Sequence, residues 1–298
     1  MIIDCHFHYE PRILNQSSLL QKMAQAGIDK VALMPSMVDP FPEPPSITTK
    51  ILQFLLKHKM LRPLGYQLCA NFNKKGDIQI LFQRYAIYPK PDNKQVFNII
   101  DQHEDKFWGW IFINPASDQD VSSEISKWIH HPNCVGIKAH PFWHRYAPSE
   151  LIPAAKIAEK NNKPMLIHCG FNAHGDYLPL IQAVPELKLI LAHAAFPGYH
   201  DDWRMIQPDN NVFVDLSQTA YVDKKTIQAV VNTLGWQRCL FGTDGPYGSR
   251  DRNGSFCFNS IKSQIELLFP DMECQKGILG KNFEKMVSEH SLPQQMND

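Results

Sequence analysis

Four short apolar stretches of this chain carry histidine or aspartate, and a fifth carries a lysine. They span residues 2–8, 135–138, 164–168, 189–193 and 239–244, and they bring His6, His8, Lys138, His168, His193 and Asp244. Imidazole nitrogen and carboxylate oxygen are the donors that zinc and related divalent cations take from proteins. A cation so held lowers the pKa of a bound water toward about 7, so hydroxide becomes available near neutrality. Taken singly, each group has a plainer reading. A His-x-His pair is weak grounds by itself. A histidine closing an aliphatic run reads equally as a satisfied core residue, and Asp244, between Gly242 and Gly245, reads equally as a turn cap. Their recurrence at one end of similar stretches reads as metal binding.

The elements that must position these groups follow from the pattern around them. Apolar runs of this length, bounded by Pro, Gly and polar residues, read as buried parallel strands. Residues two apart on a strand share a face, which puts His6 and His8 together and Cys5 on the opposite side. Further strands are expected at residues 31–34, 108–114 and 212–216, giving eight. Helical patterns lie at 17–26 (stopped by Gly27), 48–59, 121–130, 148–160, 177–184, 224–234, 259–268 and 282–288. Strands alternating with helices predict an α/β fold, and eight strands predict a (β/α)8 TIM barrel, here one domain over residues 1–298. The carboxyl ends of barrel strands form the floor of an active site. The proline-rich stretch 39–45 can be neither helix nor central strand and would overhang that floor. Residues 61–106 are less regular and read as an insertion around one helix, serving as a lid, a subunit contact or a plain surface excursion.

The bulk composition narrows the classes. The chain has 298 residues, 44% hydrophobic and 20% charged, which is ordinary for a globular enzyme. Thirty basic against thirty acidic residues argue against nucleic acid or an anionic membrane as partner. The start, Met1-Ile2-Ile3-Asp4, has no basic segment leading into an apolar one, so no signal peptide is expected, and no window approaches the ~20 apolar residues of a membrane span. A cytoplasmic location is the expectation. Seven scattered cysteines without a C-x-x-C pair indicate neither a disulfide framework nor a zinc ribbon.

At this point the chain resembles a known family. His-x-His on the first strand, a lysine on the fourth, histidines on the fifth and sixth and an aspartate on the eighth are similar to the amidohydrolase superfamily of metal-dependent barrels. The resemblance is to its amidohydrolase-related (amidohydrolase 2) branch, which includes the aminocarboxymuconate semialdehyde decarboxylase type. The stretches 135–141, 165–170 and 240–244, and the Gly-x-Asn at 280–282, share that likeness. The resemblance implies that His6, His8, His168 and Asp244 hold one divalent ion, expected to be zinc. It implies that His193 sits beside the metal as a catalytic group, and that Asp244 is both ligand and proton acceptor. Lys138 would meet the substrate, bridge a second metal if carbamylated, or form a structural ion pair.

Two chemistries use these parts. Hydrolysis of an amide, lactone or ester is the leading reading; non-oxidative decarboxylation is the alternative, and a non-catalytic metal-binding protein is the third. Decarboxylation requires a cationic grip on a carboxylate, for which Arg145, His174, Arg250 and Arg252 lie on loops of the catalytic side. Aromatic residues Phe142, Trp143, Phe171, Phe196 and Tyr247 on the same loops suit a partly apolar small molecule or rim packing. A small-molecule substrate is the expected partner, with a homodimer as the expected assembly if the chain associates.

Overall fold

In the computed structural model, which describes residues 1–41, 46–69, 72–73, 76–80, 83–251 and 254–288, the strands are numbered in chain order. They are β1 (Ile3–Tyr9), β2 (Lys30–Pro35), β3 (Ile78–Ile80), β4 (Gln83–Tyr85), β5 (Phe107–Ile113), β6 (Cys134–Ala139), β7 (Met165–Ile167), β8 (Leu189–Leu191), β9 (Val212–Asp215) and β10 (Cys239–Leu240). Eight of them form one sheet in the order β1-β2-β5-β6-β7-β8-β9-β10, every neighbouring pair parallel. The sheet closes on itself where β1 meets the chain beyond β10. There Cys5 N–H donates to Phe241 O (3.0 Å), Asp244 N–H to His6 O (2.8 Å) and His8 N–H to Gly245 O (2.6 Å). The eight strands expected from the sequence are the eight staves of this TIM barrel.

Period-two alternation sorts the side chains into two layers. Ala32, Met34, Trp110, Phe112, Leu166, Ile190 and Leu240 fill the barrel interior with Ile3 and Cys5. Val31, Leu33, Ile111, Ile113, Ile137 and Ile167 face the other way and pack with helix residues such as Leu19, Val96 and Ile125. In β1 the alternation breaks. Asp4 pairs with Val31 but Phe7 with Leu33, so three steps on β1 oppose two on β2. A bulge of this kind re-aims the residues beyond it. Cys5 therefore shares the interior with His6 instead of pointing away from it, which corrects the strand-based expectation. The bulge is what lets Ile3 and Cys5 pack the core while His6 and His8 still face inward.

Gly136 in β6 marks a close approach: a Cβ there would lie 2.2 Å from the Pro164 carbonyl oxygen and 2.8 Å from the Trp110 ring. The first contact is backbone and cannot yield cheaply. Gly136→Ala is expected to lower stability by about 1–3 kcal/mol, read as a fall in the urea midpoint at unchanged slope.

The irregular middle segment resolves into parts. Asn93–Gln102 is the barrel's own helix between β2 and β5, capped by Asp92, so the true excursion is shorter than expected. It comprises the helices Ser46–Lys57 and Arg62–Cys69 and the β3–β4 hairpin. Of the proline-rich stretch, residues 42–45 lie outside the described residues, as does Arg252. The helix Ser46–Lys57 is pinned to the loop after β9: Gln53 Nε2 donates to Thr219 O (3.0 Å) and Lys57 Nζ to Asp223 Oδ2 (2.6 Å). A helix at His200–Ile206, which the pattern did not announce, follows β8. No described helix is long and apolar enough to cross a membrane.

Candidate metal centre

The sequence-selected residues reach the barrel mouth by different routes. His6 and His8 lie within β1 and Lys138 within β6. His168 follows β7 by one residue, two past interior Leu166. His193 and Asp244 are not strand residues, as the apolar runs had suggested. His193 occupies a left-handed turn (φ 55°) with Ala194 and Ala195 (54° and 59°), and Asp244 has φ 56°. Such conformations cost L-residues about 1–3 kcal/mol each and persist where the surroundings over-determine them. Here the surroundings are hydrogen bonds to the groups themselves.

His6 Nε2 and His8 Nε2 both face Asp244 Oδ1, at 3.3 Å and 3.5 Å. These three residues bring ligand atoms within 4.8 Å of one another. His168 is not in that set, but it lines the same cavity as His8 and Asp244. A second group, His6, His193 and Asp215, is equally close. Its members are already tied together by hydrogen bonds and do not line the cavity.

Asp215 is the residue the sequence reading passed over, and it organises the rest. It closes β9 two residues beyond inward-facing Phe213, with no exposure to solvent. Its carboxylate can only accept. His6 Nδ1–H donates to Oδ2 at 2.9 Å, so His6 presents a bare Nε2, and Lys138 Nζ donates to that nitrogen at 3.3 Å. The Ser217 hydroxyl donates to Asp215 Oδ1, and so must accept from His193 Nδ1–H at 2.8 Å. His193 Nε2 is then bare and accepts from His168 Nδ1–H at 3.1 Å. His168 is left with a bare, buried Nε2 that has no hydrogen-bond partner. His8 Nδ1–H donates to Pro35 O at 3.1 Å, which bares its Nε2 as well. These tautomers are assigned from the network. They leave three unprotonated imidazole nitrogens and one carboxylate at the barrel mouth, each imidazole held by an outer partner. The set fits a divalent cation.

Burial holds all of these rings neutral. His6, His168 and His193 titrate well below the usual histidine range, and His8 falls to about 3, with Lys138 adding to the effect of burial. Burial also pushes Asp244 up to about 7, opposed by Lys138, and Lys138 down to about 8, opposed by Asp215 and Asp244.

The cavity above the histidines holds about 470 Å³. Phe41, Trp143, Tyr221 and Tyr247 wall it, and Phe41 stacks on Tyr247 at 5.6 Å between centroids. Of the aromatic candidates, Trp143 and Tyr247 line it, whereas Phe142, Phe171 and Phe196 are buried in packing. Of the cationic candidates, Arg250 lines it and donates from Nη1 to Gly254 O. Arg145 and His174 are elsewhere; Arg145 lies against Gly76, and His174 Nδ1 meets Tyr146 O. His193 has both ring nitrogens engaged and no exposure, and its only described link to a cavity-lining histidine is the hydrogen bond to His168. His140, noticed in the sequence only as part of a similar stretch, does line the cavity. Its Nδ1 accepts the Trp143 N–H at 3.1 Å, and burial keeps the ring neutral. Its proton is therefore on Nε2, the nitrogen the Trp143 contact leaves available. The signal was present: His140 starts the loop after β6, two residues beyond Lys138.

Residues 79–287 match the family model described as amidohydrolase. The chain belongs to the amidohydrolase family. The matched span takes in Lys138, His168, His193 and Asp244 and begins after His6 and His8. No curated protein sequence matches this amidohydrolase. Its fold is similar to that of 4-oxalomesaconate hydratase from Rhodopseudomonas palustris, at 16% identity and TM-score 0.62 over 96% of this chain and 95% of that one. It is also similar to 2,6-dihydroxybenzoate decarboxylase from Rhizobium, at 13% and 0.63 over 96% and 98%. A third similar structure is a dihydroxybenzoic acid decarboxylase from Polaromonas with bound manganese and 2-nitroresorcinol, at 14% and 0.60 over 97% and 98%.

Proposed function

We propose that this amidohydrolase is a metal-dependent hydrolase of a C–N or C–O bond in a small molecule, an amide, lactone or ester. The observation that carries the reading is the approach of the bare Nε2 atoms of His6 and His8 to Asp244 Oδ1, beside a cavity that His8, His168 and Asp244 line. His6, His8, His168 and Asp244 would hold the ion, with zinc the occupant such donors suit. Bound there, a divalent ion supplies Lewis acidity toward water and a substrate oxygen. The chain supplies the proton transfers and the orientation. Asp244 has its Oδ2 held by Gln218 Nε2–H at 2.9 Å, which leaves Oδ1 to take a proton from the attacking water and return it to the leaving group. His140 offers its Nε2–H to the oxyanion that develops on the substrate, as a neutral donor fixed in advance. Phe41, Trp143 and Tyr247 exclude water and receive the apolar part of the substrate.

A panel of amides, lactones and esters, assayed with zinc and with manganese, tests the reading through turnover. His140→Ala is expected to lower kcat by about 10²-fold with metal content unchanged, because the ring is a donor and not a ligand. Loss of metal in that variant would show that His140 is a ligand.

Decarboxylation is the second reading, favoured by the aromatic walls. Against it, the only described lysines and arginines lining the cavity are Lys50 and Arg250. Carbon dioxide release from aromatic or enoic acids, with no turnover of the hydrolytic panel, would reverse the order. Intact metal with neither activity would favour a binding role.

A further inference from the structure

A second cavity, of about 440 Å³, opens between the helix Arg62–Cys69 and the loops that follow β7 and β8. It shares no lining residue with the cavity above the histidines. Its walls are largely apolar: Tyr66 and Phe171 meet there at 4.9 Å between ring centroids, with Pro63 and Met205 beside them. The charged groups that line it differ in what they have left to offer. Arg62 has all three nitrogens engaged, Nε with Leu56 O, Nη1 with Asp201 Oδ2 and Nη2 with Gly198 O, each at 2.9 Å. Lys59 and Asp176 are exposed. Asp202, on the helix His200–Ile206, is partly buried and forms no ion pair among the described residues. Burial pushes its carboxyl up to about 7, against the pull of the Arg62 charge. A Cβ on Gly198 would overlap that carboxyl, so the absence of a side chain there is what makes room for it. The Tyr177 hydroxyl stands beside Asp202, buried and without a hydrogen-bond partner of good geometry. A part-buried carboxylate without a cation and a buried hydroxyl without a partner are both costly, and one kind of ligand relieves both.

We propose that this groove is a second ligand site, which takes a small molecule bearing a primary ammonium group on an apolar or aromatic body. The ammonium donates to Asp202 and to the Tyr177 oxygen, and the Tyr177 proton is left for the carboxylate. The body lies on Tyr66 and Phe171, whose ring faces attract a cation as well. A quaternary ammonium has no N–H and leaves Tyr177 as it is. A calcium ion takes about six to eight oxygens, and one carboxylate with one phenol falls short of that. An anion would have to approach Asp202 while Arg62 is already committed. The inference stands apart from the hydrolase reading, because it uses no residue of that site.

Calorimetric titration of the full chain with 2-phenylethylammonium chloride tests this without any assay of turnover. One-site binding with a Kd below about 1 mM is expected. Asp202→Asn is expected to weaken it by about 10- to 100-fold, the worth of a hydrogen bond to a charged group, and Tyr177→Phe by about 2- to 10-fold. Asp202→Asn removes a part-buried charge at nearly constant shape, so its circular dichroism is expected to be unchanged. Phe41→Ala, in the other cavity, is expected to bind the amine as the wild type does, and phenylacetate, with the opposite charge on a similar body, is expected not to bind. No binding by the folded wild type, or undiminished binding by Asp202→Asn, overturns the site. Binding lost in Phe41→Ala and kept in Asp202→Asn also overturns it, by placing the amine above the histidines. Phenylacetate, or the N,N,N-trimethylated amine, binding as tightly as the primary amine overturns the assigned ligand class.

Discussion

Asp215→Asn is expected to weaken divalent-metal binding by about 10- to 100-fold or more while the barrel stays folded. The reason is that one carboxylate sets two ligands. Oδ2 accepts directly from His6, and Oδ1 accepts from Ser217, whose oxygen in turn orders His193 and then His168. An asparagine has one oxygen and one N–H group. Whichever way it turns, either His6 Nδ1–H or the Ser217 hydroxyl faces a donor. The histidine on that branch relaxes to its other tautomer and turns an N–H, instead of a lone pair, toward the cation. Competition against a chromophoric chelator measures the loss. Ser217→Ala breaks the branch to His168 but leaves His6 its shorter bond to Asp215 and is expected to cost less, whereas Ser217→Thr keeps the hydroxyl and restores affinity. Equal losses in Asp215→Asn and Ser217→Ala would mean that His6 is not separately held by Asp215.

The same network explains what could be read from the chain in advance. The barrel was legible because its strands are uniformly apolar and its helices amphipathic, and local pattern is enough for both. His6, His8, His168 and Asp244 were legible because polar groups at the ends of apolar runs stand out. Asp215 stands at the end of its run in the same way, in β9, yet it belongs to no spacing motif, and its partners are 209 residues away at His6, 22 at His193 and 2 at Ser217. Roles were harder than positions. His193 lies in a left-handed turn that no strand pattern announces, and its ring is turned away from the cavity into the hydrogen-bond chain. His140 is the converse case, assigned no role in the sequence and yet the histidine whose N–H is available to a substrate. Tautomers follow from tertiary contacts, and the sequence does not state them. The β1 bulge belongs to the same class, since register between β1 and β2 is a property of two strands together.

Asp244→Asn is expected to lower turnover by about 10²- to 10⁴-fold, the range a lost proton acceptor costs, without unfolding the chain. The substitution is nearly isosteric, but the one orientation that fits removes the carboxylate oxygen from the histidines. Oδ2 of Asp244 accepts from Gln218 Nε2–H, and Gln218 cannot turn its amide over, because its Oε1 accepts the Ala220 N–H at 3.2 Å. An asparagine must therefore place its oxygen toward Gln218 and its NH2 toward His6 and His8, where a carboxylate oxygen now stands. The variant loses the base and one ligand together. Stability moves the other way in the metal-free protein. Burial raises Asp244 to about 7, well above the usual carboxylate range, so its ionised form is the unfavourable one in the folded chain. In the metal-free protein the contribution of Asp244 itself is then expected to fall as pH rises from about 4 through 7, so Asp244→Asn is expected to gain stability relative to wild type across that window. Urea midpoints of both proteins, stripped of metal and compared at pH 5 and pH 8, read the difference. An asparagine variant less stable than wild type at pH 8 would mean that Asp244 holds the barrel together instead of straining it, and residual turnover near the wild-type rate would assign the base to another group.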